Sequence, residues 1–420
     1  MKVLLSAYSC EPGQGSEPGV GWNVVREVAR YHQVWVLTRP DESQDIIEAE
    51  LARQPIDNLH FVYFTLPFWQ DSRRWGHSGG MQLHYYLWQI QAYFVAKQLH
   101  REIDFDLTHH VTFVRHSSPS FLCLLPIPFV WGPVGGGESA PLAYWQDFNF
   151  KNRAYETLRS IWRWLGEQDP FARMTARRSA IAFATTADTA RQIRLMGATQ
   201  VQVLSQCNLS ELELARLAQC PPPSTRPTRF ISIARLLHWK GLHLGLQAFA
   251  RAQLTDAEYW ILGEGAELPR LQALVHELGI CERVKFLGHL PREGVLAQLG
   301  ESSVLVHPSL HDSGGLVCLE AMAAGRPVIC LDLGGPAVQV TAETGFPIPA
   351  LTPDQSIADI ATAMCRLAED VDLCIEMGKA GQQRAREIFT WDAQGKLYSQ
   401  IYKRQISSRS LGADIAEYDT

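Results

Sequence analysis

The chain is short of several things, and each shortage closes off a class of protein. No run of 18 or more apolar residues occurs, so no segment reads as a helix crossing a bilayer. Positive charge is not in surplus: 38 Lys and Arg stand against 44 Asp and Glu, a net charge of −6. A nucleic-acid binder carries the opposite balance. The nine cysteines, at 10, 123, 207, 220, 281, 318, 330, 365 and 374, are odd in number and never spaced as C-x-x-C. That argues against a zinc site or a disulfide framework and suits a reducing cytoplasm. Solenoid repeats are absent. The apolar start, Met1 to Ser9, is too short for a leader and soon meets Glu11 and Glu17. It reads as a buried first strand.

What is present is the composition of a globular enzyme, 46% hydrophobic and 20% charged over 420 residues. That length suits two domains of about 200 residues each. Short apolar runs alternate with longer helical patterns. In the first half the strand candidates are 3–8, 34–38, 60–66, 107–112, 129–132 and 180–185. In the second they are 230–234, 259–262, 284–287, 303–307 and 328–331. Continuous β-rich runs between amphipathic helices imply parallel strands covered on both faces, the doubly wound α/β class. Residues 219–229 hold four prolines and read as the interdomain linker. The expected division is 1–222 and 223–385, with a helix at about 386–405 packing back on the first domain and a disordered tail over 406–420.

The most informative segment begins at Ser309 and runs through Asp312, Ser313, Gly314, Gly315, Leu316, Val317 and Glu320 to Gly325. A glycine-rich turn after a strand opens a helix there. Its amide groups and positive dipole end suit a diphosphate. Seven residues separate Asp312 from Glu320, so one carboxylate lies before the helix and the other inside it. One can meet sugar hydroxyls while the other accepts from ribose hydroxyls. The bland reading is a helix merely capped by Asp312. Ahead of this block, Ile233 to Gly241 carries Arg235 and Lys240 on a loop after a strand. Two cations there suit a leaving diphosphate, Arg by paired hydrogen bonds and Lys as a point charge.

Together these segments resemble the GT-B retaining glycosyltransferases of family 4 (glycosyl transferases group 1), in a bacterial polysaccharide-type subgroup. The family's acidic signature is Glu, seven residues, Glu. Here the first acid is Asp312, one methylene shorter, which bears on sugar choice. The resemblance implies two Rossmann-like domains around a cleft, with the nucleotide-sugar on the C-terminal one. It assigns His110, Arg235, Lys240, Asp312 and Glu320 to catalysis, and Ser313 to Val317 to donor binding. It also draws in Gly263 and Gly265, whose G-x-G lacks the third glycine of a dinucleotide site and reads equally as a tight structural turn. His289 and Leu290, after Gly288, are candidates for contact with the base.

In the N-terminal half the loop after the first strand holds Gly13, Gly15, Ser16 and Glu17, with a helix expected from Gly19–Trp22. The resemblance makes it the glycine-rich loop that faces the donor diphosphate, with Gly15 as its best match. The family places a histidine after the strand at 107–112. The register there falls on Val111, so His110, His109 and His116 are all candidates, the last two on the acceptor side. Glu138, after Gly135, Gly136 and Gly137, is a further acceptor-side candidate or part of a structural turn.

Two D-x-D patterns, Asp104/Asp106 and Asp370/Asp372, lack the context of a metal-bridged diphosphate, and no metal or cofactor is expected. Arg153, Arg159, Arg163, Arg173, Arg177 and Arg178 interleave with Trp162, Trp164 and Phe171. That pattern suits either an anionic membrane surface or an ordinary packed helix with a solvated face. The expected function is transfer of a sugar to a saccharide or lipid-linked acceptor, in cell-surface polysaccharide synthesis, in the cytoplasm at the inner face of the membrane. The rivals are a nucleotide-sugar epimerase of the same fold, a non-catalytic relative and an NAD-dependent dehydrogenase.

Overall fold

A computed structural model of the chain describes residues 1–40, 43–70, 80–223 and 227–418. Two parallel sheets organise it. The first contains β1 (Lys2–Ser6), β2 (Gln33–Thr38), β3 (Leu59–Tyr63), β4 (Leu107–His110), β5 (Phe129–Val134), β6 (Ile181–Ala184) and β7 (Val201–Val203), in the order β3-β2-β1-β4-β5-β6-β7. The second contains β8 (Thr228–Ile233), β9 (Ala257–Leu262), β10 (Val284–Gly288), β11 (Val304–His307), β12 (Val328–Leu331) and β13 (Gly345–Ile348), in the order β10-β9-β8-β11-β12-β13. Strands such as β4, β6, β11 and β12 are buried along their whole length. Both of their faces are covered, which is why they read as unbroken apolar runs rather than alternations. The α/β doubly wound class read from the sequence is the class observed.

Each sheet reverses its winding once, between β1 and β4 in the first and between β8 and β11 in the second. At such a reversal the loops leaving the strands' carboxyl ends diverge and leave a crevice, the usual ligand position in this class. The loop holding Gly13–Gly15 and the end of β4 at His110 lie at the first reversal. The loops holding Arg235–Lys240 and Ser309–Gly315 leave the second.

The chain divides into two compact units. One contains 1–137, 161–206 and 391–420, and the other 138–160 and 207–390. Segment 138–160 therefore belongs with the second sheet, although the sequence reading placed it with the first. Its aromatics supply the reason. Tyr144 and Phe148 are buried in the second unit's core, and the Tyr144 hydroxyl is 2.6 Å from Ser356 Oγ. The final helix, Trp391–Tyr418, packs on Ser16–Ala29 within the first unit, burying Tyr398 and Tyr402. Its backbone stays helical to Tyr418, where a disordered tail over 406–420 was expected. Nothing in 406–418 stops it, since that stretch has no proline and a single glycine. The helix after Gly15 starts at Ser16, ahead of the expected Gly19.

Candidate active site

In the second unit, two loops are zipped together at the reversal. The Leu310 amide donates to the Trp239 carbonyl at 2.8 Å. Gly241, at φ +63°, lies so close to Pro308 that a Cβ would fall 2.0 Å from its carbonyl oxygen. Only glycine fits that approach. The zipper brings Lys240 to Asp312, with Nζ 2.5 Å from Oδ2. His307, the last residue of β11, puts Nε2 3.3 Å from the same oxygen. The other carboxylate oxygen accepts from the Gly314 and Gly315 amides at 3.2 Å each. Burial alone would raise the Asp312 carboxyl, but His307 and the Lys240 ammonium outweigh it and hold it well below the usual range.

This arrangement amends the expectation of an open amide nest. Part of the nest is capped by the protein's own carboxylate, because Asp312 is short and sits two residues upstream. Gly315, at φ +66°, turns the chain into the helix Leu316–Ala323. The first-turn amides of Leu316 and Val317 have no intrahelical acceptor by helix geometry. Glu320 lies one turn in and is buried, with Arg292 Nη1 2.7 Å from its Oε1. Burial raises the Glu320 carboxyl, and Arg292 partly offsets this.

Arg235 is exposed on its loop just beyond β8. The G-x-G turn holds that loop. Cβ atoms at Gly263 and Gly265 would fall 1.9 and 2.3 Å from the carbonyl oxygens of Ala234 and Leu236. The Leu236 amide donates to the Glu264 carbonyl at 2.8 Å. These glycines thus serve the structural reading, and they position Arg235. The Gly263 amide reaches back to the Gly288 carbonyl at 2.8 Å, just before exposed His289 and half-buried Leu290.

Glu156 had no sequence signal and stands beside this cluster. It is buried, 2.9 Å from His238 Nε2 and 3.4 Å from His311 Nε2. Burial pushes its carboxyl up, but the two histidines and Arg159 prevail and hold it at about 2. Trp239 stacks between Tyr155 and His311, with centroids 5.6 and 5.3 Å away. His307 and Arg292 were also missed. The first could have been found from its place at a strand end; the second has no local signature.

In the first unit, Glu17 Oε1 accepts from the Phe113 amide at 2.5 Å and links the loops after β1 and β4. Ser16 and Phe113 both hold φ +59°, a strained conformation for residues with side chains. Gly13 and Gly15 are exposed, and a Cβ at Gly15 would meet nothing within 4 Å. His110 is buried beside Tyr85 and Gln89, with Nε2 3.1 Å from the Thr112 carbonyl. Burial, reinforced by neighbouring His109, pulls its pKa down to about 3, so the ring is neutral at pH 7.

His109 points to the other face of the sheet. Its ring nitrogens are 2.5 Å from the Tyr402 hydroxyl and 2.6 Å from the Gly132 carbonyl. Fully buried, it is a structural strut and not an acceptor-side residue. Period-2 alternation puts neighbours in a strand on opposite faces, so only one of the pair can face the crevice. His116 is likewise enclosed, 3.0 Å from Glu167. Glu138 is buried in the second unit, not the first. Of the D-x-D pairs, Asp106 accepts from the Lys2 amide and Asp370 caps the helix Val371–Ile388.

By fold the chain consists of two parallel-sheet, Rossmann-like units, as in the GT-B glycosyltransferase structures it resembles. Residues 219–384 match the model of the glycosyl transferases group 1, and the matched stretch lies within the second unit. Among solved structures, the chain is similar to sucrose-phosphate synthase from Thermosynechococcus elongatus, at 19% identity and TM-score 0.63, covering 97% of this chain and 99% of that one. It is also similar to Anabaena HepE in complex with UDP, at 18% identity and TM-score 0.59, covering 96% and 100%. In sequence it is 29% identical over 183 residues to the glycogen synthase of Mycobacterium tuberculosis, 43% of each chain. It is 33% identical over 201 residues to the D-inositol 3-phosphate glycosyltransferase of Corynebacterium urealyticum, 46% of each. The chain thus spans less than half the length of the curated relatives it matches.

Proposed function

We propose that the protein is a retaining, metal-independent glycosyltransferase that takes a sugar from a nucleotide-diphosphate donor. One observation carries the reading: Lys240 and Asp312 are paired at the second sheet's reversal, just before the helix that carries Glu320, inside the stretch that matches the family. In this reading Lys240 and Arg235 hold the donor phosphates. Charge grows on the departing diphosphate as the glycosidic bond breaks, and fixed cations stabilise it without reorganising. Asp312 faces the sugar hydroxyls and Glu320 the ribose hydroxyls. Entry of the donor trades the Lys240–Asp312 pair for a Lys240–phosphate pair and releases the carboxylate to the sugar. Retention follows from front-face transfer, in which the departing phosphate takes the acceptor's proton.

The first unit takes the acceptor, a saccharide or lipid-linked saccharide of a cell-surface polysaccharide. His110 is its candidate group near the anomeric carbon, and the neutral ring fits a hydrogen-bonding role rather than a charged one. Gly13 and Gly15 leave open space for a phosphate, with exposed Ser16 beside them. The test is donor hydrolysis with nucleotide release. Lys240→Ala and Glu320→Ala should each abolish it while the protein stays folded, and full activity in both contradicts the assignment. An epimerase would instead interconvert the donor's sugar without releasing nucleotide.

A further inference from the structure

The helix Phe150–Glu167 is built inside out. Glu156, Arg159, Arg163 and Glu167 recur at spacings of three and four, so they share one face. Each is engaged within its own unit. Glu156 holds His238 and His311, and Arg159 donates to the Glu138 carbonyl at 2.8 Å. Arg163 donates to the Gly137 carbonyl at 2.6 Å, and Glu167 meets His116 at 3.0 Å. Arg159 and Arg163, which the sequence interleaves with tryptophans, are therefore turned away from any surface partner.

The opposite face carries Tyr155, Leu158, Trp162 and Leu165 at the same period, flanked by Ile161 and Trp164. All six are exposed, Trp162 at 72% and Leu158 at 57%. A surface helix ordinarily turns such a stripe to the core. A contiguous exposed stripe marks an interaction face.

Charge selects the partner. Over residues 150–178 every exposed charged side chain is cationic: Lys151, Arg153, Arg177 and Arg178. The carboxylates of Glu156, Glu167 and Asp169 are buried or half-buried. A second copy paired face to face would set cations against cations. Tryptophan and leucine beside cations suit the boundary between anionic headgroups and acyl chains. We propose that the helix Phe150–Glu167 docks the protein on an anionic membrane surface, with Leu158, Trp162 and Leu165 at the acyl boundary and Lys151 on lipid phosphates; Arg153 is held by the carbonyls of Trp145, Gln146 and Phe148. The proposal goes beyond the donor chemistry and stands without it.

The experiment is flotation of the full chain with phosphatidylcholine vesicles, with and without phosphatidylglycerol, and no nucleotide-sugar. The expected result is binding to the anionic vesicles at least about tenfold stronger than to the neutral ones, weakening with salt. Trp162→Ser with Leu165→Ser should cut that binding by about tenfold or more, with an unchanged melting temperature. Trp162→Ser alone should cut it by less. Equal binding to both vesicles, or full binding by the double variant, overturns the proposal. So does a wild-type dimer that the double variant splits, because the stripe would then be covered by a second copy.

Discussion

At the residue scale, the glycines separate by what stands where a side chain would go. A Cβ at Gly263 or Gly265 collides with a carbonyl at strongly positive φ, so alanine at either should cost at least about 2 kcal/mol in denaturant unfolding. Gly15 has ordinary φ and empty space. Gly15→Ala should change stability by less than about 0.5 kcal/mol yet raise the KM for donor, because the space is kept for a ligand. Equal stability losses at Gly15 and Gly263 would refute this distinction. Glu156 gives a pH prediction. Its folded-state pKa, about 2, lies below its ordinary 4.5. Its contribution, on the order of 3 kcal/mol, is present above pH 4.5 and lost as pH falls toward 2. Glu156→Gln should be less stable at pH 7 and lose less on acidification, which urea midpoints across that range would show.

At the element scale, the sequence revealed the strands with unbroken apolar runs, such as the fully buried β4, β6, β11 and β12, and also the half-buried β3 and β10. Two strands escaped. β7 is three residues, Val201–Val203, half-buried to exposed at a sheet edge. β13 contains Gly345 and Pro347, which edge strands tolerate and sequence patterns read as loop. The helix expected at about 386–405 begins at Trp391, after a break at Phe389 and Thr390 that ends the helix Val371–Ile388, where the chain passes from one unit to the other. The final helix is tied to β4 by the His109–Tyr402 hydrogen bond. Tyr402→Phe leaves a buried histidine nitrogen without its partner and should cost about 1–3 kcal/mol. A melting temperature equal to wild type would show the strut carries no load.

At the scale of the whole molecule, local motifs were legible and long-range partners were not. Asp312, Glu320 and Lys240 could be read because their charges stand beside glycines at short spacing along the chain. Glu156 and Arg292 could not, because each meets the site from an element far away in sequence. The membership of segment 138–160 was hidden for the same reason, since only the burial of Tyr144 and Phe148 reveals it.

The central claim is that this pair binds and activates a nucleotide-diphosphate sugar. The direct measurement is nucleotide release from a panel of UDP-, GDP- and ADP-sugars by wild type and by Lys240→Ala. The account predicts turnover of one donor by wild type and a loss of about a hundredfold or more in the folded variant. Undiminished turnover in Lys240→Ala, or silence across the panel from a well-folded wild type, would contradict it.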